Sequence, residues 1–151
     1  MHVAVACTAL ALLSACPHDG RVPRSVLDEL RAANNSFALA VREADRAVAD
    51  RYLTITNDAI ARGDAEGYRR EREAQEHRVA LLRDLRDLAF AGERLLDAAE
   101  RGGRVLAEIR SWAGTMRVRL AALVAEVRAM RAAVPPSLDA ALAALVRLET
   151  P

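Results

Sequence analysis

The chain has 151 residues, enough for one domain with its own core. Its 22 basic residues, all of them Arg, are balanced by 21 acidic ones, and aromatic residues make up only 3%. This balance excludes a strongly basic protein, and no basic patch interleaved with aromatic residues points to nucleic-acid binding. Ala and Leu dominate the apolar content, which favours helices over strands.

The first segment is typical of an export signal. A run of 13 residues from Val3 to Ala15 contains no charged side chain. A membrane-spanning helix needs about 20 such residues, so the run better matches the apolar region of a signal peptide. We therefore expect residues 1–15 to be a signal peptide that directs the chain to the bacterial cell envelope.

The run ends in Leu13-Ser14-Ala15-Cys16, which resembles the lipobox of bacterial lipoproteins. The resemblance implies a diacylglycerol on the Cys16 sulfur, cleavage before Cys16 and, as a rule, acylation of the new amino terminus. Two or three acyl chains anchor a protein stably, whereas one does not. The chain would then be anchored to the outer or cytoplasmic membrane, on the periplasmic side. The alternatives are an ordinary signal peptide, an uncleaved anchor, or a buried N-terminal helix with inert thiols.

Residues 16–24 are expected to form the lipidated cysteine and a turn-rich tether, and residues 25–151 a helical domain. The predicted fold is all-α: an antiparallel bundle of three long helices plus a short C-terminal helix. The alternative is an extended helical hairpin or coiled-coil rod, because Gly102-Gly103 could act as a hinge.

Helix one is predicted to begin with Ser25 as its N-cap and to end before Gly63, a residue suited to a helix C-terminus. Asn34 lies near the apolar stripe and is expected to reach a neighbouring backbone or water. The stripe has steps of three and four residues, as one face of a long helix requires: Val26, Leu30, Ala33, Phe37, Val41, Ala44, Val48, Tyr52, Ile55 and Ala59.

Helix two is predicted to start at the N-cap Asp64 and to end at Gly102-Gly103. Its stripe is wide, as suits a helix with two neighbours: Leu81, Leu82, Leu85, Leu88, Ala89, Gly92, Leu95, Leu96 and Ala99. Acidic and basic residues alternate near its start, which indicates a solvated face with ion pairs one turn apart: Arg69, Arg70, Glu71, Arg72, Glu73, Glu76 and Arg78.

Helix three is predicted within residues 103–134, stopped by Pro135-Pro136, with Trp112 on its buried stripe. Ser137 is then expected to cap the short fourth helix. Four basic side chains of helix three fall within roughly 60° on a helical wheel: Arg110, Arg117, Arg128 and Arg131. They either pair with the acidic helix two or form a basic edge for anionic headgroups, lipopolysaccharide or an acidic partner.

Three large aliphatic residues lie off the main stripe of helix one: Leu39, Leu53 and Ile60. They either contact helix four or form an oligomer or partner interface. Glu73 and His77 could face one metal ion, but helical metal sites of this kind need several more carboxylates and a second His. The sequence thus predicts no metal site, no cofactor and no catalytic residue.

These features together predict a protein that is not an enzyme. The first hypothesis is a lipid-anchored envelope protein that acts as an interaction or scaffold module, through self-association or an envelope partner. The second is a phage lysis component resembling the spanins, which share an apolar N-terminal segment followed by long charged helices. The third is a sensory bundle that binds an apolar ligand beside small core residues: Ala89, Gly92, Ala99 and Gly114.

Overall fold

The computed structural model of the chain describes residues 21–147, and the side chains of residues 21–141. The predicted signal peptide and Cys16 therefore lie outside the described residues. The described backbone is helical between short turns and contains no strand, which confirms the predicted all-α class. The helices are α1 (Arg24–Ala61), α2 (Ala65–Glu100), α3 (Leu106–Ala129) and α4 (Pro136–Arg147).

The four helices pack in a ring in which each contacts the next along the chain. The α1 helix packs along α2, α3 packs on the other side of α2, and α4 closes the ring by contacting both α3 and α1. The diagonal pair α1 and α3 touches only slightly. Three long helices and a short one thus form a helical bundle, as predicted, and the described helices do not continue into a rod.

The core occupies the centre of this ring and follows the predicted stripes. Its largest side chains come from all four helices and are almost completely shielded from solvent. Helix packing of this kind, rather than intrinsic propensity, supplies most of the stability of long helices in water. The largest fully buried side chains are Val26, Phe37, Val41, Val48, Leu82, Leu85, Leu96, Ile109, Leu120, Leu123 and Leu138.

The turns on either side of α2 confirm the boundaries that the sequence predicts. Asp64 is the N-cap of α2, and its Oδ1 accepts a hydrogen bond of 2.8 Å from the Gly67 N–H. Gly63 and Gly102 adopt φ values of +67° and +84°, which glycine reaches without the steric cost that other residues incur. Sharp turns at both ends therefore hold α2 antiparallel to its two neighbours.

The predicted cap of the first helix was wrong. The N-cap is Pro23, which makes no side-chain cap, and the helix starts at Arg24 rather than after Ser25. The Pro23 carbonyl accepts from the N–H groups of Val26 and Leu27, both at 3.1 Å. With φ −59° and ψ 146°, Pro23 lies just outside the helix, and its side chain has no polar atom with which to cap it.

The end of α3 also differs from the prediction, because the helix stops at Ala129, before the two prolines. Arg131 takes a left-handed conformation with φ 55°, and its N–H donates to the Arg128 carbonyl at 2.9 Å. The Ala132 N–H donates to the Val127 carbonyl at 3.2 Å. These two bonds form a Schellman motif, which terminates the helix by satisfying carbonyls of its last turn.

The fourth helix begins without the predicted Ser137 cap. Pro136 is its first residue, a position where the missing N–H of proline costs nothing. The Pro135 carbonyl accepts from the N–H groups of Leu138 and Asp139. The Ser137 hydroxyl instead bonds the Glu43 carboxylate and so ties α4 to α1.

The α2 and α3 helices pack tightly where Gly92 meets Trp112. The indole is buried as predicted, and its Nε1 donates to the Leu88 carbonyl at 2.7 Å. A Cβ added at Gly92 would overlap the indole at Cζ2, whereas one added at Gly114 would meet no atom within 4 Å. The space beside Gly92 that the ligand-binding hypothesis invoked is therefore filled by Trp112.

We predict opposite effects of adding one methyl group at these two helical glycines. Gly92→Ala should destabilise the fold by about 1–3 kcal/mol, because overpacking displaces the indole. Gly114→Ala should stabilise it by about 0.5–1 kcal/mol, because alanine loses less backbone entropy in a helix. Urea unfolding followed by circular dichroism measures both, and equal stabilisation by the two variants would contradict the Trp112 contact.

Candidate functional site

Three of the four arginines predicted to form one basic edge, Arg110, Arg117 and Arg128, share one face of α3, and the fourth, Arg131, lies beyond the end of the helix. Arg110 and Arg117 lie on α3, and each makes interactions of its own with the rest of the protein. Arg128 pairs with Asp139 of α4 at 3.2 Å, rather than with α2. Arg131 lies beyond the end of α3 in its left-handed conformation. The early stop of α3 therefore separates Arg131 from the other three arginines.

A buried ion cluster joins α2 and α3 at a place the sequence pattern had assigned to solvent. Arg78 is only 5% exposed. Its Nη1 lies 2.6 Å from Glu71 Oε1, and its Nε lies 3.2 Å from Glu126 Oε2 on α3. The prediction that Arg78 belongs to a solvated face was wrong. A signal was present, since Arg78 precedes the buried Leu85 by seven residues, which is two helical turns.

A second arginine, Arg51 on α1, lies at the same level of the bundle as Arg78. The Arg51 Nε donates to the Met130 carbonyl at 2.9 Å, at the end of α3. A cation there satisfies a free carbonyl and complements the negative end of the helix dipole. The Arg51 and Arg78 contacts together tie the end of α3 to both long helices.

Beyond these two arginines α1 and α2 continue as a hairpin, which we call the arm (residues 52–77). From Arg51 to Ala61, α1 adds ten residues, about 15 Å at 1.5 Å per residue. The side chains buried here are small, Thr56 and Ala59, and the Thr56 hydroxyl donates to the Tyr52 carbonyl at 2.8 Å. An apolar hollow of about 310 Å³ lies at the tip, lined by Ala59, Ile60, Gly63, Asp64, Ala65 and Tyr68.

The side of α1 that faces away from the core carries the three aliphatic residues singled out in the sequence. Leu39, Leu53 and Ile60 are 54%, 57% and 64% exposed, so α4 does not cover them. At 100° per residue they share a sector of roughly 100° with five other exposed residues between positions 39 and 60. We call this sector the outer face of α1: Leu39, Arg42, Arg46, Ala49, Asp50, Leu53, Asn57 and Ile60.

Polar contacts hold α1 against α2 along the bundle. Arg31 pairs with Asp97 at 2.8 Å and with Glu100 at 3.2 Å, and its hydrogen bond to Glu100 raises the pKa of the Arg31 guanidinium. The buried Asn34 donates from Nδ2 to the Ala89 carbonyl at 3.0 Å, as predicted. These groups join the two helices.

Two further features bear on the chemistry that the described residues support. Glu73 and His77 are both exposed on the arm, and no group of three His, Cys, Asp or Glu side chains within residues 21–141 is placed to hold a metal ion. No helix in the described part of the chain is both long enough and apolar enough to cross a membrane.

Comparison of the chain with protein-family models, curated proteins and solved structures finds no match. The helices and the side chains they bring together are thus the basis for assigning a role. Large apolar side chains are exposed on the outer face of α1 and at the tip of the arm, and also on α2 at Val79 and Phe90 and on α3 at Val118.

We predict that the buried ion cluster is needed for stability. Arg78→Ala should lower the free energy of unfolding by about 2–3 kcal/mol, because it leaves the Glu71 carboxylate poorly solvated and unpaired. The matched control is Arg72→Ala, which removes a pair with Glu76 that is 66% and 71% exposed and should change stability by less than about 0.5 kcal/mol. Urea denaturation measures the free energy of unfolding of both variants. Equal losses of unfolding free energy would show that burial of the cluster has no energetic role.

Proposed function

We propose that the chain is a lipid-anchored, non-enzymatic protein of the bacterial cell envelope that acts by binding another protein through its helix surfaces. The observation that carries the binding role is the outer face of α1, where Leu39, Leu53 and Ile60 are each more than half exposed. Apolar side chains gathered on one face of a folded protein commonly mark an interaction surface.

Anchoring at Cys16 would hold the start of α1 at the membrane. Arg24, the first residue of α1, follows Cys16 by eight residues, a distance of at most about 28 Å in an extended chain. The α1 helix has 38 residues, which is about 57 Å. The start of α1 would therefore stay near the membrane, while the tip of the arm lies at the other end of the helix.

The ion pairs between helices of the described bundle support a non-enzymatic role. Arg31, Arg78 and Arg86 each pair with carboxylates of another helix, so these charges are engaged in holding the fold together. A poised acid and base would instead require two groups held in dissimilar environments. The resemblance of Leu13-Ser14-Ala15-Cys16 to a lipobox supports the envelope location.

The anchor is tested by the intact mass of protein extracted from membranes. We expect a chain that begins at Cys16 and carries the added mass of two or three acyl groups. Cys16→Ser should abolish both cleavage before residue 16 and the added mass, because the acceptor sulfur is lost. Cys7→Ser is the matched control, since residue 7 lies within the predicted signal peptide, and it should leave the mature mass unchanged.

Other masses would contradict the proposal. A chain that retains residues 1–15 without acylation would show that the segment is an anchor or part of the fold. A chain cleaved near Cys16 but not acylated would identify an ordinary signal peptide, and the protein would then not be lipid-anchored.

A further inference from the structure

We propose that the outer face of α1 pairs with the same face of a second copy of this chain, with the two helices antiparallel. This rests on the proposed function and names the partner of its binding surface. The occupant is a second copy because reversing the direction of the face brings Leu39 onto Ile60 and places Arg46 within one helical turn of Asp50 of the other copy.

The spacing of the apolar residues is suited to pairing between helices. Leu39, Leu53 and Ile60 are separated by 14 and seven residues, the heptad spacing that keeps a seam facing a partner helix. Arg46 occupies the remaining heptad position, and the exposed Ala49 lies beside it. An arginine at such a position lays its methylene groups along the partner while the guanidinium reaches outward.

An antiparallel pairing about a two-fold axis brings unlike residues together. If Leu39 lies opposite Ile60 of the second copy, Arg46 lies opposite Leu53 of that copy. Asp50 is three residues from Leu53, about one turn away, so the Arg46 guanidinium can reach its carboxylate. The symmetry of such an interface repeats each contact, which gives two leucine–isoleucine contacts and two ion pairs. The two Asp50 carboxylates lie near the axis, flanked by the two Arg46 guanidiniums.

A parallel pairing in the same register has the opposite electrostatic result. Arg42, Arg46 and Asp50 would each lie beside the same residue of the other copy. None of these three side chains is in an ion pair within the described bundle, so their charges would repel directly. Like charges placed opposite each other disfavour an interface, and the charge order therefore selects the antiparallel arrangement.

The size of the face sets the strength expected of the pair. Residues 39–60 extend about 32 Å at 1.5 Å per residue, along the width of a single helix. The area of a strip of that length and one helix wide is less than the roughly 800 Å² per partner of a standard stable interface. The pair is thus a weak one that forms where copies are concentrated. Two copies anchored in one membrane would pair with both α1 helices lying along the membrane, so that each start of α1 stays within reach of its tether.

The pairing is tested in intact cells with full-length chains carrying two different epitope tags. One chain carries Leu39→Cys and the other Ile60→Cys, and a short bismaleimide joins cysteines that lie side by side. We expect products that contain both tags, and little product from two chains that carry the same substitution. Same-position products would establish a parallel pair, and no product from folded chains would show that a second copy is not the occupant; either result overturns the proposal.

Charge reversal gives a second, independent measurement. Arg46→Asp in both chains should lower the yield of the two-tag product about tenfold, because two ion pairs become like-charge contacts. Adding Asp50→Arg should restore the yield by exchanging the charges. Arg104→Asp is the control, since Arg104 is exposed in the turn between α2 and α3, and it should have no effect. Failure of the exchanged pair to restore the product would refute the proposed register.

A control chain without an introduced cysteine distinguishes a failure of the pairing from a failure of the proposed anchor. A lipidated, cleaved chain retains no free thiol and gives no product. Product from this chain would reveal a free native thiol, and therefore a failure of the anchor assignment. The same pairs are then compared at high protein concentration in a Cys7→Ser, Cys16→Ser background, where the pairing outcome does not depend on lipidation.

Discussion

The contact of the Trp112 indole with Gly92 fixes how α3 packs on α2, and the rest of the bundle depends on it. The indole occupies the place of a side chain at residue 92, and its N–H is fixed by the Leu88 carbonyl. With α3 held at this depth and level, Glu126 reaches Arg78, and the end of α3 reaches Arg51. The reversal after α3 then brings α4 onto α1.

The protein combines two kinds of packing along the same pair of helices. In the bundle, α1 and α2 bury Phe37, Leu82 and Leu85 almost completely. In the arm, the buried side chains are the small Thr56 and Ala59. Local stability follows the amount of buried apolar surface. The arm buries little such surface of its own, so it stays folded because it continues two helices that are held in the bundle. The Arg51 and Arg78 contacts lie at that boundary.

Periodicity was sufficient to predict the helices, because each long helix buries one stripe with steps of three and four residues. Asp64, Gly63 and Gly102 were predictable for a local reason, since cap and turn residues act within their own turn. The end of α3 was not predictable in this way. Arg131 adopts a left-handed conformation that arginine seldom takes, so the prolines were a misleading stop signal.

The candidate surfaces were predictable only in part. The wheel position of Leu39, Leu53 and Ile60 identified them, but their exposure depends on where α4 packs, and that is a long-range property of the fold. Arg78 was missed because its two carboxylate partners lie seven residues away on α2 and on a different helix. Charge alternation near the start of α2 concealed a side chain on the buried face.

The turn at Gly63 separates the two longest helices at a point remote from the core. A side chain added there would meet no atom within 4 Å, and the arm places the turn about 15 Å beyond Arg51 along α1. Exposed turns of this kind are the sites where chains tolerate inserted sequence. A small folded domain joined at this turn would be displayed away from the bundle, and the bundle would hold both ends of the interrupted chain together.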